Sequence, residues 1–265
     1  MRLDRIKNSL APFSAHLQVD SVSDLLVLLC ASGALAFAMC LPLVAGYQLP
    51  DLRPLATNER KDEFFALLDP IVEKISAEIA GQRAFVDAIA DDIAAGNELS
   101  WIDQIRLLAL AEYYEVTLHE ADLETEVIPL LQRRIDIVPR SLILIQAAKE
   151  SGWGTSRFAL QGNNLFGQRC YASGCGLEPA GVDDPNFNVA TFSSVDESVA
   201  SYVRNLNTHP QYLEFRRKRQ ALRAEERSLS GTVLADSLDD YSERGDDYVE
   251  EIKDMITQNE LEQVD

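Results

Sequence analysis

Apolar residues fall into several arrangements along this chain, and each predicts a different kind of element. Residues 25–46 carry no charged side chain. As a helix with about 1.5 Å of rise per residue, that run covers about 33 Å, enough to cross the hydrocarbon core of a bilayer. Further on, Phe64, Leu67, Leu68, Ile71, Ile75 and Ile79 recur at helical spacing, and Phe85, Ile89 and Ile93 continue the pattern past Gly81. These predict amphipathic helices that need a partner face, interrupted at Pro70, Gly81 and Gly96. Ser100-Trp101-Ile102-Asp103 has the form of a helix start and would turn Ile105 and Leu108 inward.

Residues 142–148 are apolar at almost every position, which predicts a helix buried on most faces. Pro139 suits its first turn and Gly152 its C-terminal stop. Residues 162–192 are rich in Gly, Asn, Asp and Pro, with a β-favouring piece at Asn188-Val189-Ala190-Thr191-Phe192. That reads as an irregular loop with a small β-element. Ser194-Val195-Asp196-Glu197 then opens another amphipathic helix through Tyr202 and Leu206, with Asp196 and Glu197 as first-turn capping groups.

Charge gives the apolar run a direction. Arg2, Arg5 and Lys7 precede it and Tyr47 follows, so residues 1–24 are expected to be a cytoplasmic leader and 25–46 a transmembrane anchor, with the remainder on the far side. The run is long for a cleaved signal peptide. Cys40 sits in a poor lipoprotein box, so no lipid anchor is expected. Residues 47–58, with two prolines and little periodicity, read as a linker, 59–135 as a helical region that could meet another envelope protein, and 257–265 as a tail. The formal net charge of −19 over 265 residues argues against a nucleic-acid partner.

Candidate chemistry is sparse. His119 with Glu120, Asp122, Glu124 and Glu126 forms a solvated acidic loop rather than an ordered metal site, and neither metal nor cofactor is expected. Cys170 and Cys175 bracket a Gly-containing loop suited to a disulfide in an oxidising compartment, with free thiols or a two-ligand metal site as weaker alternatives. His209 is not a convincing base for a cysteine expected to be disulfide-bonded. Glu150 is the sharper candidate. It lies in the last turn of the apolar helix, where dry surroundings and the negative end of the helix dipole both disfavour the carboxylate. A raised pKa suits a general acid. A solvated cap residue, held ionised by Lys149, is the bland alternative.

The run Glu150-Ser151-Gly152-Trp153-Gly154, followed by Asn163-Asn164-Leu165-Phe166-Gly167, resembles the glucosaminidase domain of bacterial cell-wall hydrolases. Residues 138–170, with Asn205-Leu206-Asn207-Thr208-His209-Pro210, look like the Bax branch of that family. The resemblance implies a mainly helical, α+β, lysozyme-like glucosaminidase domain with a small β-lobe, here residues 136–256. It implies an endo-acting hydrolase that cleaves β-1,4 bonds after N-acetylglucosamine in peptidoglycan; with the apolar run, this gives an expected place in the inner membrane with the catalytic domain in the periplasm.

By the same resemblance Glu150 is the general acid, and Trp153, Asn163, Asn164 and Phe166 shape the glycan groove, with Tyr202 beside them. Tyr241 and Tyr248 resemble a late tyrosine segment, one residue longer here, that lines the site. Glu178, Asp183 and Asp184 fall where relatives place a second carboxylate, and the substrate's own N-acetyl oxygen is the alternative. Arg216 to Arg219 is a basic patch, either a solvated helix face or a contact for the carboxylates of peptide stems. The rival readings are a lytic transglycosylase, from which the Asn-Asn-Leu-Phe-Gly segment departs, and a non-catalytic glycan-binding protein.

Overall fold

The computed structural model describes residues 46–117, 123–179 and 186–265. The expected anchor, apart from Gly46, lies outside them, and among the described residues no helix is long and apolar enough to cross a membrane. The described chain is mainly helical with one small sheet. It forms two compact units, one holding residues 81–135 and the other residues 46–80 and 136–265.

Helix α1 (Thr57–Ala94) contributes residues to both units and runs unbroken through Pro70 and Gly81, against the expected interruptions. An interior proline costs a helix about 3 kcal/mol. Here Pro70 and Ala66 both lie on the exposed side, so the Ala66 carbonyl that loses its helical donor can turn to water. Meanwhile Phe64, Leu67, Leu68, Ile71, Val72 and Ile75 are buried. At roughly 1.5–3 kcal/mol for each large apolar side chain, that face outweighs the break.

In the smaller unit, α1 ends at Gly96 in a left-handed conformation, and α2 (Trp101–Tyr113) starts at Ser100, whose hydroxyl accepts the Asp103 amide. Its buried positions are Leu107, Leu110 and Ala111 rather than Ile105 and Leu108. On the same helix Arg106 lies over the Phe85 ring, 4.0 Å from its centroid. Glu124 and Glu126, expected in a loop, belong to a π-helical turn at Leu123–Val127 that runs into α3 (Ile128–Arg134). Its buried Leu123 and Val127 fasten it.

The larger unit is built around α4 (Arg140–Ser151), whose residues 141–148 are all buried. Around it pack α8 (Gly231–Ala235), α9 (Asp246–Gln258) and the turn Leu261–Val264. Helix α5 (Arg157–Gly162) leads to the sheet, where β3 (Asn188–Ala190) lies antiparallel between β1 (Arg169–Cys170) and β2 (Gly176–Leu177). Helices α6 (Val195–Thr208) and α7 (Leu213–Ala224) follow, and Ser194 caps α6 by accepting the Glu197 amide.

Three expected surface or linking segments turn out to be structural. Residues 47–58 are not a free linker: the Tyr47 amide donates to Asp196 at 3.0 Å, the Tyr47 carbonyl accepts from Val195 at 2.8 Å, and Gln48 donates to the Ser193 carbonyl at 2.6 Å. Residues 257–265 are not a loose tail either. Both carboxylate oxygens of Asp265 accept hydrogen bonds, from the Ser141 amide and hydroxyl at 2.9 and 2.7 Å and from the Gly231 amide at 2.7 Å. The basic patch is half internal, since Arg216 and Arg219 are buried. Arg216 donates to the Leu206 and His209 carbonyls, and Arg219 to the Asp136 and Ile137 carbonyls and to Asn207. Asp136, also buried, lies 3.8 Å from Arg219 and 2.9 Å from Arg223, so the charge is compensated inside the fold.

Candidate active site

The end of α4 is a left-handed turn. Gly152, Trp153 and Gly154 take φ of 58°, 59° and 73°, and the Trp153 amide donates to the Ala148 carbonyl at 2.7 Å. Ser151 braces it by donating to the Ala147 carbonyl and accepting the Gly154 amide. The stop leaves Glu150 in the last helical turn with its side chain reaching solvent.

Glu150 meets a cluster of aromatic residues from separate elements. Tyr248, on α9, donates its hydroxyl to Glu150 Oε1 at 3.2 Å. The Tyr248 ring stacks on Tyr241, with centroids 5.5 Å apart, and Tyr241 meets Tyr202 edge-on at 6.4 Å. Tyr202 in turn stacks on Phe166 at 3.9 Å. Tyr241 directs its hydroxyl to the Phe166 carbonyl at 3.4 Å, so its ring rather than its oxygen adjoins the carboxyl neighbourhood.

Burial raises the pKa of Glu150 above the usual glutamate range, against the hydrogen bond from Tyr248 and the charge of Lys149, while Glu251 adds to the rise. The side chain is nonetheless open to water. Both hold together because nearby protein displaces part of the carboxyl's hydration without closing it off. Solvent moderates the shift. Lys149 does not act on Glu150 alone: its ammonium lies 2.5 Å from Glu251, which also pairs with Arg244 at 2.6 Å. Burial and the Glu150 charge push the Tyr248 hydroxyl far above the tyrosine range, so it remains a donor at neutral pH. The arrangement can hold a protonated carboxyl at an accessible surface.

Other candidates are placed differently from the sequence expectation. Trp153 turns onto α1, edge-on to Phe65 at 5.3 Å and Phe64 at 6.0 Å, with Lys61 4.7 Å over its ring. Asn163, left-handed at φ 49°, donates to Gln48 and to the Phe192 carbonyl, both at 3.1 Å, and accepts the Leu49 amide. Asn164 is buried. Its amide nitrogen donates to the Gln168 and Ala190 carbonyls at 2.9 and 2.8 Å, and its oxygen accepts from Phe166 and Gln168. All four of its hydrogen-bonding positions are occupied, which leaves it a builder of the loop rather than a contact for a ligand.

Glu178 follows β2 and is exposed, with Arg157 donating to its carbonyl oxygen. Asp183, Asp184, His119, Glu120 and Asp122 lie outside the described residues. Cys170 and Cys175 are joined by a disulfide across the β1–β2 turn. Among the described residues no cluster of three or more His, Cys, Asp or Glu could hold a metal ion. Two residues missed in the sequence belong to the site. Glu251 sits one helical turn after Tyr248, and Gln146 is the lone amide within the apolar stretch of α4, a signal available in the sequence.

A carboxyl with a raised pKa beside stacked tyrosines, on a mainly helical unit with a small sheet, fits a glycan-cleaving enzyme. The sequence matches the family described as mannosyl-glycoprotein endo-beta-N-acetylglucosaminidase over residues 126–261, and the chain belongs to this glucosaminidase family of glycoside hydrolases. It is similar to Protein bax of Escherichia coli (strain K12), with 36% identity over 205 residues that cover 76% of this chain and 70% of that protein. No solved structure matches it.

Proposed function

We propose that this enzyme is a membrane-anchored peptidoglycan hydrolase, an endo-β-N-acetylglucosaminidase with a lysozyme-like catalytic domain and Glu150 as its general acid. The observation that carries the reading is the Glu150 carboxyl itself, open to solvent, raised in pKa by its surroundings and held on one oxygen by Tyr248. Protonated Glu150 would donate to the glycosidic oxygen as the bond to the anomeric carbon breaks. Water would then complete hydrolysis, activated by a second carboxylate such as Glu178 or guided by the substrate's N-acetyl oxygen. Within the cluster Tyr202, Tyr248 and Phe166 are buried, so half-buried Tyr241 would offer what area is open to a sugar ring.

The uncharged run 25–46 after Arg2, Arg5 and Lys7 supports an inner-membrane anchor with the catalytic unit in the periplasm, and the Cys170–Cys175 disulfide fits that oxidising compartment. Digestion of purified peptidoglycan followed by mass spectrometry tests the activity. New reducing N-acetylglucosamine ends are expected. Anhydromuramyl ends would make the enzyme a lytic transglycosylase, and no cleavage would make the domain a glycan-binding module.

A further inference from the structure

Gln146 is fully buried in a stretch of α4 that is otherwise almost entirely apolar. A methionine or leucine would fill similar volume without the cost of desolvating an amide. The amide is used at both ends. Its Oε1 accepts the hydroxyl of buried Tyr202, and its Nε2 donates to the Tyr248 oxygen at 2.9 Å. Tyr248 then donates to Glu150 Oε1, on the same face of α4 one turn further along.

The three donors point the same way. A phenol has a single hydrogen, and the Gln146 N–H already occupies a lone pair of the Tyr248 oxygen, so the Tyr248 hydrogen is left to face the carboxyl. With the amide reversed, Gln146 Oε1 would capture that hydrogen and Tyr248 would offer Glu150 only a lone pair. We infer that Gln146 is a positioning residue that fixes the direction of the Tyr248 hydroxyl, keeping Glu150 Oε1 an acceptor and leaving Oε2 to carry the transferable proton. This rests on the reading of Glu150 as general acid.

The charged and titratable groups around Glu150 are Lys149 on its own helix, Tyr248 and Glu251 on α9, Tyr202 on α6, Tyr241 in the turn before α9, and Tyr212 before α7. Of these, Tyr248 hydrogen-bonds directly to the carboxyl. Losing its donation removes an interaction that favours the carboxylate, so the Glu150 pKa should rise and activity should persist to higher pH.

The test uses the full chain acting on purified peptidoglycan, with kcat and KM followed across pH for Gln146→Met, Tyr248→Phe, the double variant and Glu150→Gln. Gln146→Met should lower kcat about tenfold or more with KM within about twofold, and should move the basic limb of the kcat profile upward. The double variant should be no slower than Tyr248→Phe, because Gln146 acts through that hydroxyl. Losses that multiply in the double variant, or a fall in kcat with the basic limb unmoved, would overturn the inference and leave Gln146 a packing residue. Should Gln146→Met not fold, Tyr202→Phe removes the donor that holds Gln146 Oε1 and frees the amide to reverse. It should show the same upward limb, and a wild-type profile there would equally sink the idea. Failure of the underlying reading is recognised separately, by a Glu150→Gln enzyme that still cleaves.

Discussion

Lys149 and Glu251 form an ion pair at 2.5 Å immediately beside Glu150, so the cation nearest the candidate acid is already matched by a carboxylate. Lys149, and after it Arg244, hold the Glu251 pKa below the usual glutamate range, which keeps it ionised at neutral pH. The pair thus supplies a negative charge that disfavours ionisation of Glu150 and a positive charge whose opposing influence is partly spent.

Glu251→Gln should therefore lower the pKa of Glu150. A general acid works in its protonated form, so the basic limb of kcat should move to lower pH, opposite to the shift expected for Tyr248→Phe. A kcat profile measured from acid to alkaline pH checks the sign, and coincident limbs for wild type and Glu251→Gln would refute the coupling.

Glu150→Gln should reduce turnover on peptidoglycan by about 100-fold or more, the range of a lost general acid. Stability should not fall with it. The folded-state pKa of Glu150 is raised, so its stabilising contribution is full below the unfolded value and is lost as pH rises through the folded value. At neutral pH the neutral amide should melt at the same temperature or slightly higher. A calorimetric scan showing a large drop would mean that the carboxylate is structural.

The position of Glu150 was legible because two simple signals agree there, an apolar helix and a glycine able to end it. The roles of its neighbours were not, because Trp153, Asn163 and Asn164 are residue types that suit both sugar recognition and turn construction. What decides between them is the left-handed φ of Trp153 and Asn163 and the partner carbonyls of Asn164, set by contacts distant in sequence. Arg216 and Arg219 misled in the same way. Three residues apart on one helical face, they read as surface charge until Asp136 and the carbonyls beside it come into place. Pro70 shows the converse, since a local breaker yields when its side of the helix is wet.

Asn164→Ala should act mainly on stability. It leaves two carbonyls and two amides without side-chain partners in a mostly buried loop, at a cost of about 2–4 kcal/mol. Denaturant unfolding should show the loss, and KM for the surviving folded enzyme should change little. A normal melting curve with a much higher KM would return Asn164 to the glycan groove.

Removing the disulfide should be mild. Its ring is small, so the chain-entropy gain is about 2 kcal/mol or less, and β1–β3 pairing with the Asn164 network orders the neighbouring loop independently. A Cys170→Ser/Cys175→Ser double variant should exchange amide hydrogens faster between residues 170 and 177 while Asn164 and Phe166 stay protected. Exchange spreading through residues 163–168 would show that the disulfide holds the loop.

Asp265 grips the opening turn of α4 through Ser141, while Glu150 stands at the far end of the same helix. A helix resists compression, so at about 1.5 Å per residue the two are joined by a stiff rod of roughly 14 Å. If Glu150 is the acid, its aim toward a sugar bond would be set partly by a carboxylate at the other end of the helix. Whatever loosens that remote clasp would register as a misdirected proton, with every residue around Glu150 still intact.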